Sequence, residues 1–195
     1  MDIYTWVMLG LCIILGGLLV SYNGKKHQIK KLSSLCQGLD IGFQERKYVW
    51  QAVALKGQMQ DLPVKIYFAY QQTSRTYKCV TRVKLTKRVW DLRIHRATKI
   101  SLQRSDFQTS DDIVNKHFLL KSRQTKKARR FLKDPQVMTT LKQLVSNFRL
   151  GDKIIFRGKY IYYYTDTNVS AQKKARFSNT IQILLSWSQQ LNKGI

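Results

Sequence analysis

The sequence predicts an α+β protein: an N-terminal transmembrane helix followed by an antiparallel β meander packed with C-terminal helices. Three observations predict it. Ile3 to Tyr22 is an uncharged, largely apolar run. From Tyr48 to about Arg96 apolar residues recur at alternate positions, the period of a strand. Beyond Thr125 they recur mainly at helical spacing, in three separate stretches.

The first run is long enough to cross a bilayer. About twenty helical residues, at about 1.5 Å each, reach about 30 Å. A cleaved signal peptide would want positive charge before the run and small residues after it. Here only Asp2 and the terminal amine precede it, and Lys25, Lys26, His27, Lys30 and Lys31 follow. Leu11 before Cys12 does not suit a lipoprotein site. The cations after the span predict an amino terminus facing out and a cytoplasmic domain. Trp6 and Tyr22 sit where interfacial anchors belong. Gly10, Gly16 and Gly17 do not make the GxxxG spacing of close helix pairs. The expected division is an anchor over 1–24, a juxtamembrane basic helix or linker over 25–42, and one basic α+β domain over 43–195.

Leu32 and Leu35 are the apolar positions of the juxtamembrane segment, and Gly38 to Gly42 breaks it. Val49, Val53 and Leu55 open the β region, with a turn at Gly57 to Asp61. Leu62 to Tyr70, Tyr77 to Leu85 and Trp90 to Ile94 each alternate and read as three further strands. Ser105 to Asp112 is a polar loop, and His117 to Lys121 a short strand. Thr125 to Leu132 is helical, with Ala128, Phe131 and Leu132 inward. Asp134-Pro135 opens the next helix, whose stripe is Val137, Met138, Leu141, Leu144 and Val145. Ile154 to Phe156 and Tyr160 to Tyr164 read as a hairpin turning at Arg157-Gly158-Lys159. The last helix runs from about Ser170 to Leu191, capped by Thr167 or Asn168, with Phe177, Ile181, Leu184, Leu185 and Leu191 on the face that covers the sheet.

Charge is the strongest functional signal. Thirty-five Lys and Arg face eleven acids, a formal +24, and Glu45 is the one glutamate. Such a domain needs counter-charge from anionic lipid, an acidic protein or nucleic acid. Beside an anionic leaflet each cation gains on the order of 1 kcal/mol. Three patches stand out. In Lys121 to Lys133 seven of thirteen residues are cationic, and Lys126, Arg129, Arg130 and Lys133 share a helix face, with Lys127 beside them. Lys173, Lys174 and Arg176 stand in the first turns of the last helix, where they oppose its dipole unless an anion binds there. The outward strand face carries Lys65, Lys78, Arg82, Lys84, Arg93 and His95. Singly, each also fits a solvated face; together they predict an extended anion- or partner-binding surface. The membrane-proximal set is Lys25, Lys26, Lys30 and Lys31.

Other chemistries find less support. Three cysteines without a CxxC predict neither a disulfide framework nor a zinc site. His27, His95 and His117 make no HExxH, and no glycine-rich phosphate loop or G-x-S-x-G is present. Asp106, Asp111 and Asp112 are better explained as a polar loop capping a strand than as a cation site or a carboxylate pair. No enzyme activity, metal or cofactor is expected. Tyr67, Tyr160, Tyr162 and Tyr164 have the chemistry to stack bases, but no nucleic-acid-binding motif accompanies them.

The layout resembles a group of bacterial membrane-anchored proteins with a cytosolic domain of unknown function. The resemblance lies in the span, the meander, Asp111-Asp112 leading to His117-Phe118-Leu119-Leu120-Lys121-Ser122, and the helices at Lys126 to Leu132 and from Pro135. It implies a fold class and no activity, and the heavy Lys/Arg load departs from it. The expected function is that of a non-enzymatic, membrane-anchored accessory or scaffold protein, a subunit of a larger membrane complex. Its basic surfaces would dock an acidic protein partner or anionic lipid. A membrane-tethered nucleic-acid binder is the alternative.

Overall fold

The computed structural model of the chain describes residues 3–37, 39, 53–72, 75–98 and 105–193; most side chains before Tyr22 lie outside the description. So do the expected strand start at Val49, most of the break after Gln37 and the centre of the turn before Arg75. The fold is α+β, with an antiparallel sheet and C-terminal helices. Helix α1 (Ile3–Leu35) leads into β1 (Ala54–Met59), β2 (Leu62–Gln71) and β3 (Thr76–Arg96). Then come α2 (Asp112–His117), β4 (Phe118–Lys121), α3 (Thr125–Leu132), α4 (Pro135–Asn147), β5 (Lys153–Thr165) and α5 (Ala171–Lys193). Among the described residues, no helix is long and apolar enough to cross a membrane.

β1 and β2 turn at Gln60 and Asp61, both at positive φ, so the connection is a two-residue hairpin and not the longer turn expected from Gly57. β3 is the spine of the sheet. β2 pairs with its first half and β4 with its last residues, along one edge, while β5 runs along the other.

Two expectations need correction here. The strands foreseen at Tyr77–Leu85 and Trp90–Ile94 are one 21-residue strand. The hairpin foreseen at Arg157–Lys159 is a continuous stretch of β5. Both errors have one cause. A straight 21-residue strand would be about 70 Å long, far longer than a domain of this size is wide, so the β3–β5 ribbon has to bend. It does so through register shifts between Lys84 and Leu92, opposite Gly158 at φ +62°. Extra residues in one strand increase its twist and bend it. In sequence, the bend is indistinguishable from a break between strands.

The ribbon curls until the two ends of β5 meet. Tyr163 Oη donates to Asp152 Oδ2 at 3.5 Å, and Lys153 Nζ lies 4.5 Å from the centre of the Tyr164 ring. α5 occupies the hollow. Phe177, Thr180, Ile181, Ile183, Leu184, Leu185, Trp187 and Ser188 are all buried, on more than one side of the helix, where a single covering face was expected. Phe131 packs edge-on against Phe156 at 5.5 Å and Trp187 at 6.0 Å. Phe148 bridges Phe118 and Tyr163.

The helix termini follow local chemistry. Asp134 accepts from the amides of Gln136 (2.9 Å) and Val137 (3.1 Å), with Pro135 in the first turn, as the sequence predicts. Asp111 caps α2, a short helix not foreseen. At α5 the cap is Ser170, which accepts from Lys173 N at 3.2 Å, in place of Thr167 or Asn168. Up to Leu35 the juxtamembrane stretch, left open between helix and linker, is the end of α1. Its Leu32, Leu35 and Cys36, with Leu39 beyond them, are buried in the domain core.

Candidate functional site

The first basic patch lines a cleft. α3 buries Ala128, Phe131 and Leu132, so Lys126, Lys127, Arg129, Arg130 and Lys133 are all left exposed. The cleft beside them has a volume of about 760 Å³. Lys126, Arg129, Arg130 and Lys133 form one wall, and the loop residues Gln108, Thr109 and Ser110 form the other. Leu132 and Met138 contribute apolar surface. Among the described residues none of the four cations has an acidic partner within ion-pair distance.

The loop wall is held in place. Phe107 is buried, with the Arg129 guanidinium 5.8 Å from its ring centre. The Thr109 amide donates to Asn115 Oδ1 at 2.8 Å, and Asn115 Nδ2 donates back to Thr109 O at 2.9 Å. Two of the loop acids are committed elsewhere. Asp106 Oδ2 accepts from Ser122 N at 2.9 Å. Asp111 accepts from Val114 N at 3.0 Å and pairs with Lys142 Nζ at 2.5 Å. The Lys142 hydrogen bond, aided by the Val114 amide, holds the Asp111 carboxyl below its ordinary range. No group of three or more His, Cys, Asp or Glu among the described residues is placed to hold a metal ion.

The second patch does not form. Lys173 is buried and makes an ion pair with Asp166 Oδ1. Its Nζ also donates to Asp166 O at 2.6 Å. It is an internal strut between the end of β5 and the start of α5, closed to any solvent anion. Lys174 Nζ donates to Gln37 Oε1 at 3.1 Å and so ties α5 to the turn after α1. Arg176 Nε donates to Gln172 O at 3.4 Å, within its own helix. The sequence could not foresee this, because Asp166 meets Lys173 only once the chain turns between β5 and α5.

The third patch forms and is larger than expected. Register sets Lys65, Arg82 and Tyr162 side by side across three strands, with Lys84 opposite Tyr160. Arg82 lies 4.6 Å from the Tyr160 ring centre and Lys65 4.9 Å from that of Tyr67. Tyr160, Tyr162 and Tyr164 form a ladder with spacings of 5.8 and 6.3 Å. Lys78 reaches toward Gly151. Lys153, which sequence reasoning passed over, joins because the curled ribbon carries it onto Tyr164. Arg93 is partly compensated by Asp91, with Nη2 3.4 Å from Oδ2. His95 lies among these groups: burial first, then the charges of Lys153, Lys121 and Arg93, lower its pKa.

The membrane-proximal lysines 25, 26, 30 and 31 stand on α1, with all but the half-buried Lys25 exposed. Cys36 and Cys79 are buried free thiols. Burial pushes the Cys36 pKa up to about 12 and that of Cys79 higher, so both stay protonated and unreactive.

No protein-family model matches the chain, and no curated protein matches it. Among solved structures there is a match in fold. The chain is similar to the mycobacterial trehalose monomycolate transport factor A, TtfA. The two share 10% sequence identity over 83% of this chain and 93% of that one, with a TM-score of 0.53. At that identity the likeness establishes the α+β fold alone.

Proposed function

We propose that the chain is a single-pass membrane protein, amino terminus outside and domain in the cytoplasm, that works without catalysis as an accessory subunit of a larger membrane complex. The observation that carries this reading is the sequence of the unbroken helix α1, most of whose side chains before Tyr22 lie outside the described residues among which no spanning helix is found. Its sequence has no charged residue between Asp2 and Lys25, and its far end is packed in the domain core through Leu32, Leu35 and Cys36. An anchor built this way would hold the domain rigidly at the bilayer and not on a tether. The α3 wall and the tyrosine-ladder face would then meet an acidic partner subunit or anionic headgroups. That a protein of similar fold is named a transport factor is in keeping with an accessory role; its cargo is not carried over.

A nucleic-acid role is the weaker reading. Cations already cover Tyr67, Tyr160 and Tyr164, and the ladder tyrosines pack on one another, which leaves few open ring faces for bases. The test is purification of the full-length protein from its native membrane in mild detergent, with and without nuclease. A stoichiometric, nuclease-resistant set of membrane proteins is the expected result. Co-purifying nucleic acid that nuclease removes, with steep salt dependence, would replace this reading with the other. Recovery of the protein in the soluble fraction would remove the anchor from it.

A further inference from the structure

The geometry points to the cleft between α3 and the 108–110 loop as a binding site for a ligand carrying two or more linked phosphates. This rests on the reading of α3 as an anion-facing surface, and on neither the anchor nor the partner subunit. Lys126, Arg129, Arg130 and Lys133 repeat at helical spacing along one wall. Like charges at these separations destabilise a helix, and none of the four is relieved by an acid among the described residues.

The size of the array selects the ligand. Seven residues at about 1.5 Å per residue separate Lys126 from Lys133 by about 10 Å. A single phosphate is too small to meet all four groups, whereas a chain of two or three phosphates spans them. Two arginines supply planar forks matched to phosphate oxygens, and the lysines add mobile point charges. Across the cleft, Ser110 offers a hydroxyl, while that of Thr109 is engaged with Asn115 and Asp111. Thr109 is fixed by its bonds to Asn115, so this wall is preorganised. A volume of about 760 Å³ falls within the range of about 300–1,000 Å³ usual for small-molecule sites. The ring nearest the cations, Phe107, is buried beneath Arg129 and gives bases no platform, which favours a compact polyphosphate over a nucleic-acid strand.

Such linked phosphates come either from a soluble polyphosphate or from a lipid diphosphate headgroup, and the experiment separates the two. Full-length protein in phosphatidylcholine nanodiscs is titrated with inorganic tripolyphosphate by calorimetry. One-to-one binding is expected, weakened at least about tenfold in R129Q/R130Q. The variant K87Q/R88Q, which removes the same charge from exposed residues of the β3 bend, should bind as the parent does. Circular dichroism checks that both variants fold, which exposed side chains permit. Absence of binding, or equal weakening in the two variants, overturns the proposal. Repeating the titration in nanodiscs doped with a polyprenyl diphosphate, a lipid whose headgroup carries two linked phosphates, identifies the source. Competition with tripolyphosphate supports a headgroup, and undiminished binding supports a soluble ligand. If the chain does not enter nanodiscs, the anchor reading fails, and the same titration on the free chain still decides the cleft.

Discussion

Asp166→Asn should destabilise the protein more than Lys173→Met, although both substitutions break the same ion pair. The reason is unequal burial: the Lys173 side chain is 7% exposed and that of Asp166 49%. Asp166→Asn leaves a buried ammonium with neutral acceptors alone, the residue-166 backbone carbonyl at 2.6 Å and the new amide oxygen, and no compensating charge. Stranding one member of a buried pair costs about 3–5 kcal/mol, and the surviving carbonyl and the half-solvated partner reduce that to about 2–3 kcal/mol here. Lys173→Met keeps the buried stem and leaves a carboxylate that water and the Asn168 amide (3.0 Å) still satisfy. Its cost is about 1 kcal/mol, the lost hydrogen bonds. In a chain of this size about 1 kcal/mol moves Tm by about 2–4 °C, so the two variants should differ visibly. Urea and thermal melts in mild detergent, read by tryptophan fluorescence, measure both, since Trp187 is fully buried. The double variant should lose less than the two singles combined.

The pair also predicts a pH dependence. Burial alone would raise the Asp166 pKa, but the Lys173 hydrogen bond and charge, with the Asn168 amide, outweigh it and leave the pKa below its ordinary range. The stabilisation is therefore present above the ordinary carboxyl range and is lost as pH falls through the lowered folded value. The gap between Asp166→Asn and the parent should close in acid. Equal losses at neutral pH, or a larger loss from Lys173→Met, would refute the reasoning and show that the Lys173 ammonium is open to solvent.

Further predictions concern the core, the bend and the sheet face. Phe131→Ala, which empties the contact point of Trp90, Phe156 and Trp187, should cost about 3–5 kcal/mol in a denaturant melt. Gly158 sits at φ +62° with open space around it, so Gly158→Val should cost about 1–2 kcal/mol from backbone conformation alone, and Gly158→Asn clearly less. His95 has a pKa below its ordinary 6.5; it favours the fold while neutral, and that contribution is lost as pH falls from 6.5 through the lowered folded value. His95→Gln should flatten that part of a stability-versus-pH curve.

The parts of the fold that were legible in sequence are those set by neighbours along the chain. The Asp134-Pro135 start of α4, the inward residues of α3, the β alternation and the basic face of Lys126 to Lys133 all depend on contacts within about one helical turn or two strand positions. The 105–112 loop, read as capping a strand, binds the Ser122 amide just beyond β4 through Asp106, whereas its Asp111 caps the unforeseen α2. What was missed lies at larger separation. Val89 and Gly158 mark a bend only because two distant strands pair there. Lys153 reaches Tyr164 only because the ribbon curls.

The same division holds for the candidate site. Sequence alone determined that the chain carries a large uncompensated positive charge, that four of those cations share the exposed face of α3, and that an uncharged apolar run precedes the domain. These follow from composition and helical period. Tertiary structure decided which cations remain available. It placed Gln108 to Ser110 opposite α3 to make a cleft, and it drew Lys173 inside to meet Asp166. Whether a charge faces water or a partner depends on what the rest of the chain brings against it, and that is fixed by the path of the sheet and not by local spacing.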